Sequence, residues 1–305
     1  MRNWRHGPTN SSTSAGVSHR VTFWGVRGSI PTPGPGTARY GGNTPCLSVT
    51  NGRSGLVILD AGSGLRGLGH ELMQTLGGES LRADLLLSHT HWDHIQGLPF
   101  FKPLSAGGNQ VRIFGAAQEG VPLEDILGRQ MDPMVFPVPL RALAAHIEVV
   151  EVEPGAFSID GFSVEAVRLR HPGTTLGYIL EPSGGGRRFA YLTDNELGAG
   201  GSYPVPPRWR DTLIERLGGV DTLIHDAMYV DQMIEARAGW GHSTARQAVD
   251  LAAAAGVQRL LLFHYEPEHD DRTMDGILAD ARGYAATAAP SLVVDPATEG
   301  LTFTL

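Results

Sequence analysis

The stretch Ser88-His-Thr-His-Trp-Asp-His94 carries the strongest structural signal in this chain. It follows an apolar run at residues 85–87 and contains four potential metal ligands: His89, His91, Asp93 and His94. A loop at the end of a strand is accessible, and such a loop can turn neighbouring side chains toward one another. Neutral imidazole and carboxylate are preferred ligands of zinc and other first-row ions. The sequence therefore predicts a metal site at the end of this strand.

The rest of the chain alternates short apolar runs with segments of helical periodicity. Apolar, β-branched runs bounded by Gly or Pro predict strands at residues 21–24, 56–59, 85–87, 111–114, 162–169, 189–192, 223–224 and 260–263. Periodic segments predict helices at residues 65–76, 123–130, 209–217, 243–255 and 274–285. Ser243 is predicted as an N-cap, and Asp275 as an acid in a first turn. The alternation indicates layered α/β sheets.

Composition and charge limit the classes of protein that this chain fits. Its 305 residues are 41% hydrophobic, with a mean hydropathy of −0.10, as in ordinary globular proteins. No apolar run approaches the ~20 residues needed to span a bilayer, so we expect no membrane partner. Residues 1–19 are mostly polar and predict a disordered leader ahead of a single domain at residues 20–305. A net charge of −8 argues against a large nucleic acid as partner.

Cys46 is the only cysteine. It excludes a disulfide within one chain and a zinc site built on several thiolates, so any metal must be held by histidine and carboxylate. Because it lies in a strand-like run, we predict that it is a small, buried apolar residue. The lack of cysteine pairs is consistent with a cytoplasmic location.

The spacing His-x-His-x-Asp-His resembles the signature of the metallo-β-lactamase superfamily. That family supplies three further ligands in a fixed order, and this chain has His171, Asp194 and His264 in that order, each after a predicted strand. The resemblance covers residues from about Val21 to the C-terminus. It implies a four-layer αββα sandwich with the site along one edge.

The resemblance also implies a role for each ligand. His89, His91 and His171 would hold one ion, Asp93, His94 and His264 would hold a second, and Asp194 would bridge the two. Asp60 would orient ligands without binding metal itself. Two ions about 3.5–4 Å apart can share a hydroxide that serves as the nucleophile. Zinc is the first expectation for such a His-rich site, with manganese or iron as alternatives.

Two later segments narrow the resemblance to the ribonuclease Z-like phosphodiesterases. They are Leu223-Ile-His-Asp-Ala-Met-Tyr229 and Gly239-Trp-Gly-His-Ser-Thr-Ala245. By position, His242 would protonate the leaving alkoxide and Asp226 would orient it, although that family usually has Glu at the second position. With Asp93, these two form the predicted catalytic set. The alternative is that His242 is a structural histidine at a helix start. His225 follows apolar residues and is predicted to pack in the core.

Two loops near the start of the chain resemble bacterial enzymes described as cyclic-nucleotide phosphodiesterase-like. They are Trp24-Gly-Val-Arg-Gly-Ser-Ile-Pro-Thr-Pro-Gly34 and Arg39-Tyr-Gly-Gly-Asn-Thr-Pro-Cys46. Arg27, Arg39 and Asn43 are the residues in them that could bind a phosphate, since arginine offers a bidentate fork.

Two other segments have competing interpretations. Gly62-x-Gly64-x-x-Gly67 follows a predicted strand and opens a helix, as a dinucleotide-binding turn would. The expected acid is absent from the end of the next strand, which favours the metal site over a nucleotide cofactor. Residues 131–141 are apolar but contain three prolines, which favours a rigid packed connector over a lip above a pocket or a subunit contact.

Together these patterns predict hydrolysis of a small phosphodiester, with a cyclic nucleotide as the leading candidate. A lactonase or β-lactamase is one alternative, because the same hydroxide attacks a carbonyl. Processing of RNA, as by ribonuclease Z, is a second alternative, disfavoured by the negative charge and by the lack of a basic, glycine-rich insertion. A metal-bound sensor with an idle site is the non-enzymatic alternative. A homodimer is left open.

Overall fold

The computed structural model describes residues 19–50, 55–198 and 200–305. Nearly all of the predicted leader therefore lies outside the described residues. Two seven-stranded sheets form the centre of the molecule, one from each half of the chain except that the last strand joins the first sheet. Within the described ranges, no helix has the length and apolar character needed to cross a bilayer.

The first sheet has the order β14-β1-β2-β3-β4-β5-β6, and the second has the order β13-β12-β11-β10-β9-β8-β7. The elements of the first half are β1 Arg20–Gly25, β2 Cys46–Thr50, β3 Gly55–Leu59, α1 Leu65–Thr75, β4 Arg82–Leu86, α2 Trp92–Ile95, β5 Gln110–Gly115, α3 Leu123–Gln130 and β6 His146–Glu151. Those of the second half are β7 Gly155–Ile159, β8 Phe162–Arg168, β9 Leu176–Pro182, β10 Phe189–Leu192, α4 Trp209–Leu217, β11 Thr222–Asp226, α5 Ala245–Ala255, β12 Arg259–Phe263, α6 Asp271–Ala288, β13 Val293–Pro296 and β14 Thr302–Thr304.

Alternation along the strands assigns the two faces of the first sheet. In β3, Val57 and Leu59 belong to the core between the sheets, whereas Leu56 and Ile58 belong to a separate cluster with Leu65 of α1. Successive side chains of a strand point to opposite faces, so a continuous apolar strand supplies two cores at once. Cys46 is fully buried in the second cluster, as predicted.

Helices cover the outer faces of both sheets. On the first sheet α1 packs near β1 and β2, and α3 packs on β6. On the second sheet α5 packs on β11 and β12, and α6 packs on β13. This arrangement confirms the predicted αββα sandwich.

Two predicted helix starts were wrong by a few residues. The N-cap of α5 is Thr244 rather than Ser243, because Thr244 and Gln247 form a reciprocal capping box. Helix α6 begins at Asp271, a turn before the predicted start, and its N-cap Asp270 accepts a hydrogen bond from Thr273.

The carboxyl ends of parallel strands in both sheets determine where the site lies. Strands β3, β4 and β5 of one sheet run parallel, as do β10, β11 and β12 of the other. The chain turns sharply where three of these strands end, with φ of 60° at Asp60, 41° at Asp194 and 60° at His264. Non-glycine residues rarely adopt this left-handed conformation, which is concentrated at functional sites.

Candidate metal centre

The structure brings all the sequence-predicted metal ligands together in two overlapping groups. The first group is His89, His91, His171 and Asp194, and the second is Asp93, His94, Asp194 and His264. Within each group the ligand atoms lie within 4.8 Å of one another. Asp194 belongs to both groups, which is the arrangement that a bridging carboxylate requires. The ligands come from both sheets, since His89 to His94 follow β4, whereas Asp194 and His264 follow β10 and β12.

Hydrogen bonds on the outer side of the cluster direct several imidazoles inward. Nδ1 of His171 lies 2.9 Å from the carbonyl oxygen of Gly241, and Nδ1 of His94 lies 2.8 Å from Oδ2 of Asp60. A carbonyl or carboxylate can only accept, so each Nδ1 is the donor. Nε2 of each ring then keeps its lone pair and faces the other ligands.

Asp60 lies behind His94 and outside both ligand groups. Its fully buried carboxylate accepts hydrogen bonds from the backbone and hydroxyl of Ser88 at 2.7 and 2.9 Å, and from the hydroxyl of Tyr191 at 2.7 Å. Burial together with the charge of Asp60 raises the pKa of Tyr191 well above its usual value, so the phenol remains a donor. These contacts fix Asp60 as an orienting group for His94.

The ligand atoms fit metal ions, because several of the described imidazole nitrogens have no hydrogen-bond partner or face another nitrogen. Nε2 of His89 is buried and, among the described residues, has no hydrogen-bond partner. Nε2 of His171 lies 3.0 Å from Nδ1 of His91, and Nε2 of His94 lies 3.3 Å from Nε2 of His264. Lone pairs converging at such distances repel unless a proton or a cation lies between them.

In the first ligand group the electrostatics favour neutral imidazoles beside an ionised carboxylate. Burial lowers the pKa of His89 well below its usual value and that of His171 to about 4. For Asp194 burial acts to raise the pKa, but the surrounding imidazoles outweigh it and hold the pKa well below the usual range. In the second group, the charges of Asp194, Asp93 and Asp60 outweigh burial and raise the pKa of His94 well above its usual value. Deprotonated His and Asp are the forms that bind metal. The residues present therefore fit a dinuclear centre.

A second polar pair lies beside the ligands. Nδ1 of His242 lies 2.7 Å from Oδ2 of Asp226, and the His242 ring stacks on that of His264 with centroids 5.2 Å apart. Backbone N–H groups of Asn195 and Met228 donate to the two oxygens of Asp226. Burial acts to lower the pKa of His242, but the charge and hydrogen bond of Asp226 raise it to about 9. The pair therefore places a histidine with a raised pKa directly beside the two ligand groups.

Comparison with known proteins places this geometry in a family. Residues 56–265 match the family described as Beta-lactamase superfamily domain, which is most of the chain. The chain belongs to the beta-lactamase superfamily. It is a metal-dependent hydrolase of that superfamily, as its relatives are.

The individual relatives share low sequence identity with this chain. Ribonuclease Z from Methanosarcina acetivorans is 26% identical over 302 residues, covering 86% of this chain and 92% of the relative. The metallo-beta-lactamase fold protein YhfI from Bacillus subtilis superposes with a TM-score of 0.67 at 19% identity, covering 94% of this chain and all of that one. Yeast PDE1 superposes with a TM-score of 0.69 at 14% identity, covering 95% of this chain and all of that one. The two structural likenesses show the beta-lactamase superfamily fold and nothing further.

The structure gives partners within the protein to the three residues predicted to contact phosphate. Arg27 is fully buried and donates to the carbonyl oxygens of Gly41 and His269. Arg39 forms a bidentate ion pair with Asp275 on α6. The side chain of Asn43 is held by Glu299 and Ser63.

Asn43 donates from both its backbone and its side chain to Glu299, and its side-chain oxygen accepts from Ser63. The loops that resemble phosphodiesterase segments therefore brace the beta-lactamase fold through structural contacts. One of them also touches a predicted ligand, because the backbone N–H of Ser29 lies 2.8 Å from Oδ2 of Asp93.

The glycine turn at residues 62–67 is explained by internal packing. A Cβ on Gly62 would lie 2.3 Å from the carbonyl oxygen of Asp93, and one on Gly64 would lie 2.4 Å from that of Trp24. Both glycines therefore allow close approach of backbone to backbone. Their packing favours the metal-site interpretation over a dinucleotide turn.

Two further predictions had different outcomes. His225 is fully buried, as predicted, and its ring lies between Asn195 and the carbonyl of Asp226. The interpretation of residues 131–141 as a packed connector was wrong for most of the segment. Met131 and Leu140 are buried, but Met134 is 90% exposed and Val135 is 73% exposed, so the middle of the segment is an exposed apolar stretch.

Sequence reasoning missed Glu196, which organises the loop before His242. Its buried carboxylate accepts hydrogen bonds from the backbone N–H groups of Gly239 and Gly241, at 2.9 and 3.0 Å, and from the hydroxyl of Tyr203 at 2.6 Å. The only signal in the sequence was its place two residues after Asp194. Its partners are backbone groups, which no residue pattern reveals.

Proposed function

We propose that this hydrolase cleaves a phosphodiester, with a small diester such as a cyclic nucleotide as the leading candidate. The observation that carries the proposal is the His242–Asp226 pair beside the ligand groups. An alkoxide is a poor leaving group and needs a proton, which His242 can supply. The resemblance of this pair to that of the ribonuclease Z-like phosphodiesterases favours a phosphodiester over a lactone or a β-lactam. Ribonuclease Z among the relatives supports phosphate chemistry as well.

Each group of residues has its own proposed role in the reaction. Two divalent ions bound by the ligand groups would supply Lewis acidity and lower the pKa of a water molecule toward neutrality. Asp226 holds Nδ1 of His242, which leaves Nε2–H as the proton that His242 can give to the departing oxygen. Asp60 and Gly241 hold His94 and His171 in the tautomers that present Nε2.

The finer assignments belong to the same proposal. We assign the ligands as the resemblance implies, with Asp194 between the two ions and Asp93 in both the metal site and the catalytic set. Zinc is the metal that best suits a set of imidazoles and carboxylates, with manganese and iron as alternatives. We further propose a cytoplasmic enzyme with one catalytic domain at residues 20–305. A homodimer formed through the exposed apolar segment at residues 131–141 is left open.

RNA is the second candidate substrate, and it is favoured by the relatives named ribonuclease Z and ribonuclease BN. A net charge of −8 disfavours it, because RNA binding depends on neutralising many phosphates. A cyclic nucleotide presents a single phosphate to the site.

A substrate panel tests the proposal. Metal-loaded protein would be assayed on bis(p-nitrophenyl) phosphate, cyclic nucleotides, a precursor transfer RNA, a lactone and a β-lactam. We expect turnover of the diesters and none of the β-lactam. Turnover of the lactone or β-lactam alone would replace the proposal with carboxylic hydrolysis. A protein that binds metal but cleaves nothing in the panel would be the idle sensor.

A further inference from the structure

The segment between β11 and α5 holds an arginine that the proposed function has not used. Arg237 ends the 3-10 helix Glu235–Arg237, and its guanidinium carbon lies 4.3 Å from the ring centroid of Trp240 and 5.9 Å from that of Tyr229. The side chain is half-buried, so the two aromatic rings restrict it without covering it. A guanidinium held in this way loses little further entropy when it binds a ligand.

Among the residues that the structure describes, Arg237 has no acidic side chain at ion-pair distance, unlike several other arginines of the chain. Arg39, Arg112 and Arg246 each form ion pairs with Asp. Within the part of the chain that the structure describes, the guanidinium of Arg237 makes no ion pair and no hydrogen bond. Its N–H groups are therefore available to an acceptor from outside the protein.

Contacts through Tyr229 place Arg237 beside the proposed proton donor. The Tyr229 ring packs edge-on against the His242 ring, with centroids 5.5 Å apart, and also lies under the guanidinium. Burial raises the pKa of half-buried Glu266, whereas the charges of Arg237 and His242 act to lower it. Glu266 is therefore within electrostatic reach of Arg237 and His242. Arg237 is thus a cation on the same side of the cluster as His242.

The loop that presents Arg237 is fixed on its far side. Glu196 accepts hydrogen bonds from Gly239 and Gly241, and the backbone N–H of Trp240 donates to the carbonyl of Arg237 at 3.1 Å. The indole of Trp240 is 55% exposed, and the next residue, Gly241, accepts a hydrogen bond from the ligand His171, so this loop joins the surface to the site. A preorganised cation in this loop is what recognition of an anion requires.

We propose that Arg237 binds a non-bridging oxygen of the substrate's phosphate group and selects for anionic substrates. This inference rests on the proposed function and adds the residue that recognises the charge. The predicted candidates Arg27 and Arg39 are engaged in structural contacts, whereas Arg237 has free donors beside His242. Its fork suits two phosphate oxygens better than a point charge would.

The test compares Arg237→Met with Arg246→Met in metal-loaded protein. Arg246 is the matched control, because it also lies against an aromatic ring, that of Tyr284 at 5.5 Å, but is paired with Asp280. On bis(p-nitrophenyl) phosphate we expect Arg237→Met to lose about 10- to 100-fold in kcat/KM, mostly through KM, the scale of a hydrogen bond to a charged group. Arg246→Met should match the wild type, and Arg237→Lys should recover part of the loss.

Two further measurements separate this inference from the proposed function. Inhibition by inorganic phosphate should weaken in Arg237→Met, whereas hydrolysis of a neutral phosphotriester should be unchanged wherever it is measurable. Metal content should stay at the wild-type value. A wild type that cleaves diesters, with Arg237→Met equal to it in KM and in phosphate inhibition, overturns this inference alone. A wild type that cleaves no diester overturns the proposed function, and phosphate binding measured by calorimetry then tests Arg237 independently.

Discussion

The buried carboxylate of Glu196 accepts a hydrogen bond from the backbone N–H of Gly241, and the carbonyl of that same Gly241 accepts one from Nδ1 of His171. A carboxylate two residues after Asp194 therefore fixes the orientation of another ligand through a single peptide unit. Gly241 has φ of 89°, and a Cβ there would lie 2.1 Å from Nδ1 of His171. The loop can take this course only with glycine at that position.

Substitution of Glu196 should therefore weaken metal binding without removing any ligand. We expect Glu196→Ala to lower affinity for the ion held by His171 by about 10- to 100-fold, the usual effect of losing a group that orients a ligand. Competition with a chelator would measure it. Tyr203→Phe removes one donor to Glu196 and leaves the two backbone donors, so its effect should be much smaller. Equal and wild-type affinities in both variants would contradict the role of Glu196.

Metal analysis of the purified protein should find close to two transition-metal ions per chain. His264→Ala should empty mainly the second ligand group and His91→Ala the first, because each group has three ligands that the other lacks. Elemental analysis after metal is added back and excess is removed provides the count. Wild-type protein that still holds no more than one ion would rule out the dinuclear assignment.

His242→Ala should discriminate between leaving groups. A ribose oxygen departs only with a proton, so the variant should lose about 10²–10⁴ in rate on a cyclic nucleotide. A nitrophenolate needs little protonation, so the loss on bis(p-nitrophenyl) phosphate should be far smaller. Metal content serves as the control. Equal losses on the two substrates would indicate positioning, and loss of metal would make His242 a ligand.

In metal-free protein the pKa of His242 should be near 9, because the charge and hydrogen bond of Asp226 outweigh burial. A pKa raised above the ordinary 6.5 stabilises the fold fully below about pH 6.5, and this contribution is lost as pH rises through about 9. NMR titration of the ring would measure the pKa, and urea unfolding across that range would measure the stability. Asp226→Asn should lower the pKa and flatten the pH dependence. A value at or below 6.5 in the metal-free wild type would contradict the pairing.

The parts of the site that could be predicted are those whose residues lie close together in the sequence or directly follow an apolar run. The ligands from His89 to His94 lie within six consecutive residues, and His264 directly follows a long apolar run that predicts a strand. The αββα order follows from the same runs, although the prediction omitted short or half-exposed strands such as β6 and β7, whose burial is partial. Strand ends and ligand chemistry were therefore readable without coordinates.

Partners distant in sequence were not readable. The guanidinium of Arg27 is satisfied by the carbonyl of His269, which lies 242 residues away. An arginine in a glycine-rich loop looks the same whether it binds a phosphate or the backbone of another segment. The opposite case is Arg237, whose guanidinium has no hydrogen bond or ion pair among the described residues, a property that belongs to the folded surface.

The division of the ligands between the two sheets links metal binding to the stability of the protein in the cell. Each ligand group takes residues from both halves of the chain, so bound metal would favour the assembled sandwich. Ions that bind only the closed form stabilise it by mass action, and stability rises with the free metal concentration. In a cell short of metal, more of this chain would open and become accessible to proteases. Metal supply would then set the amount of enzyme as well as its activity.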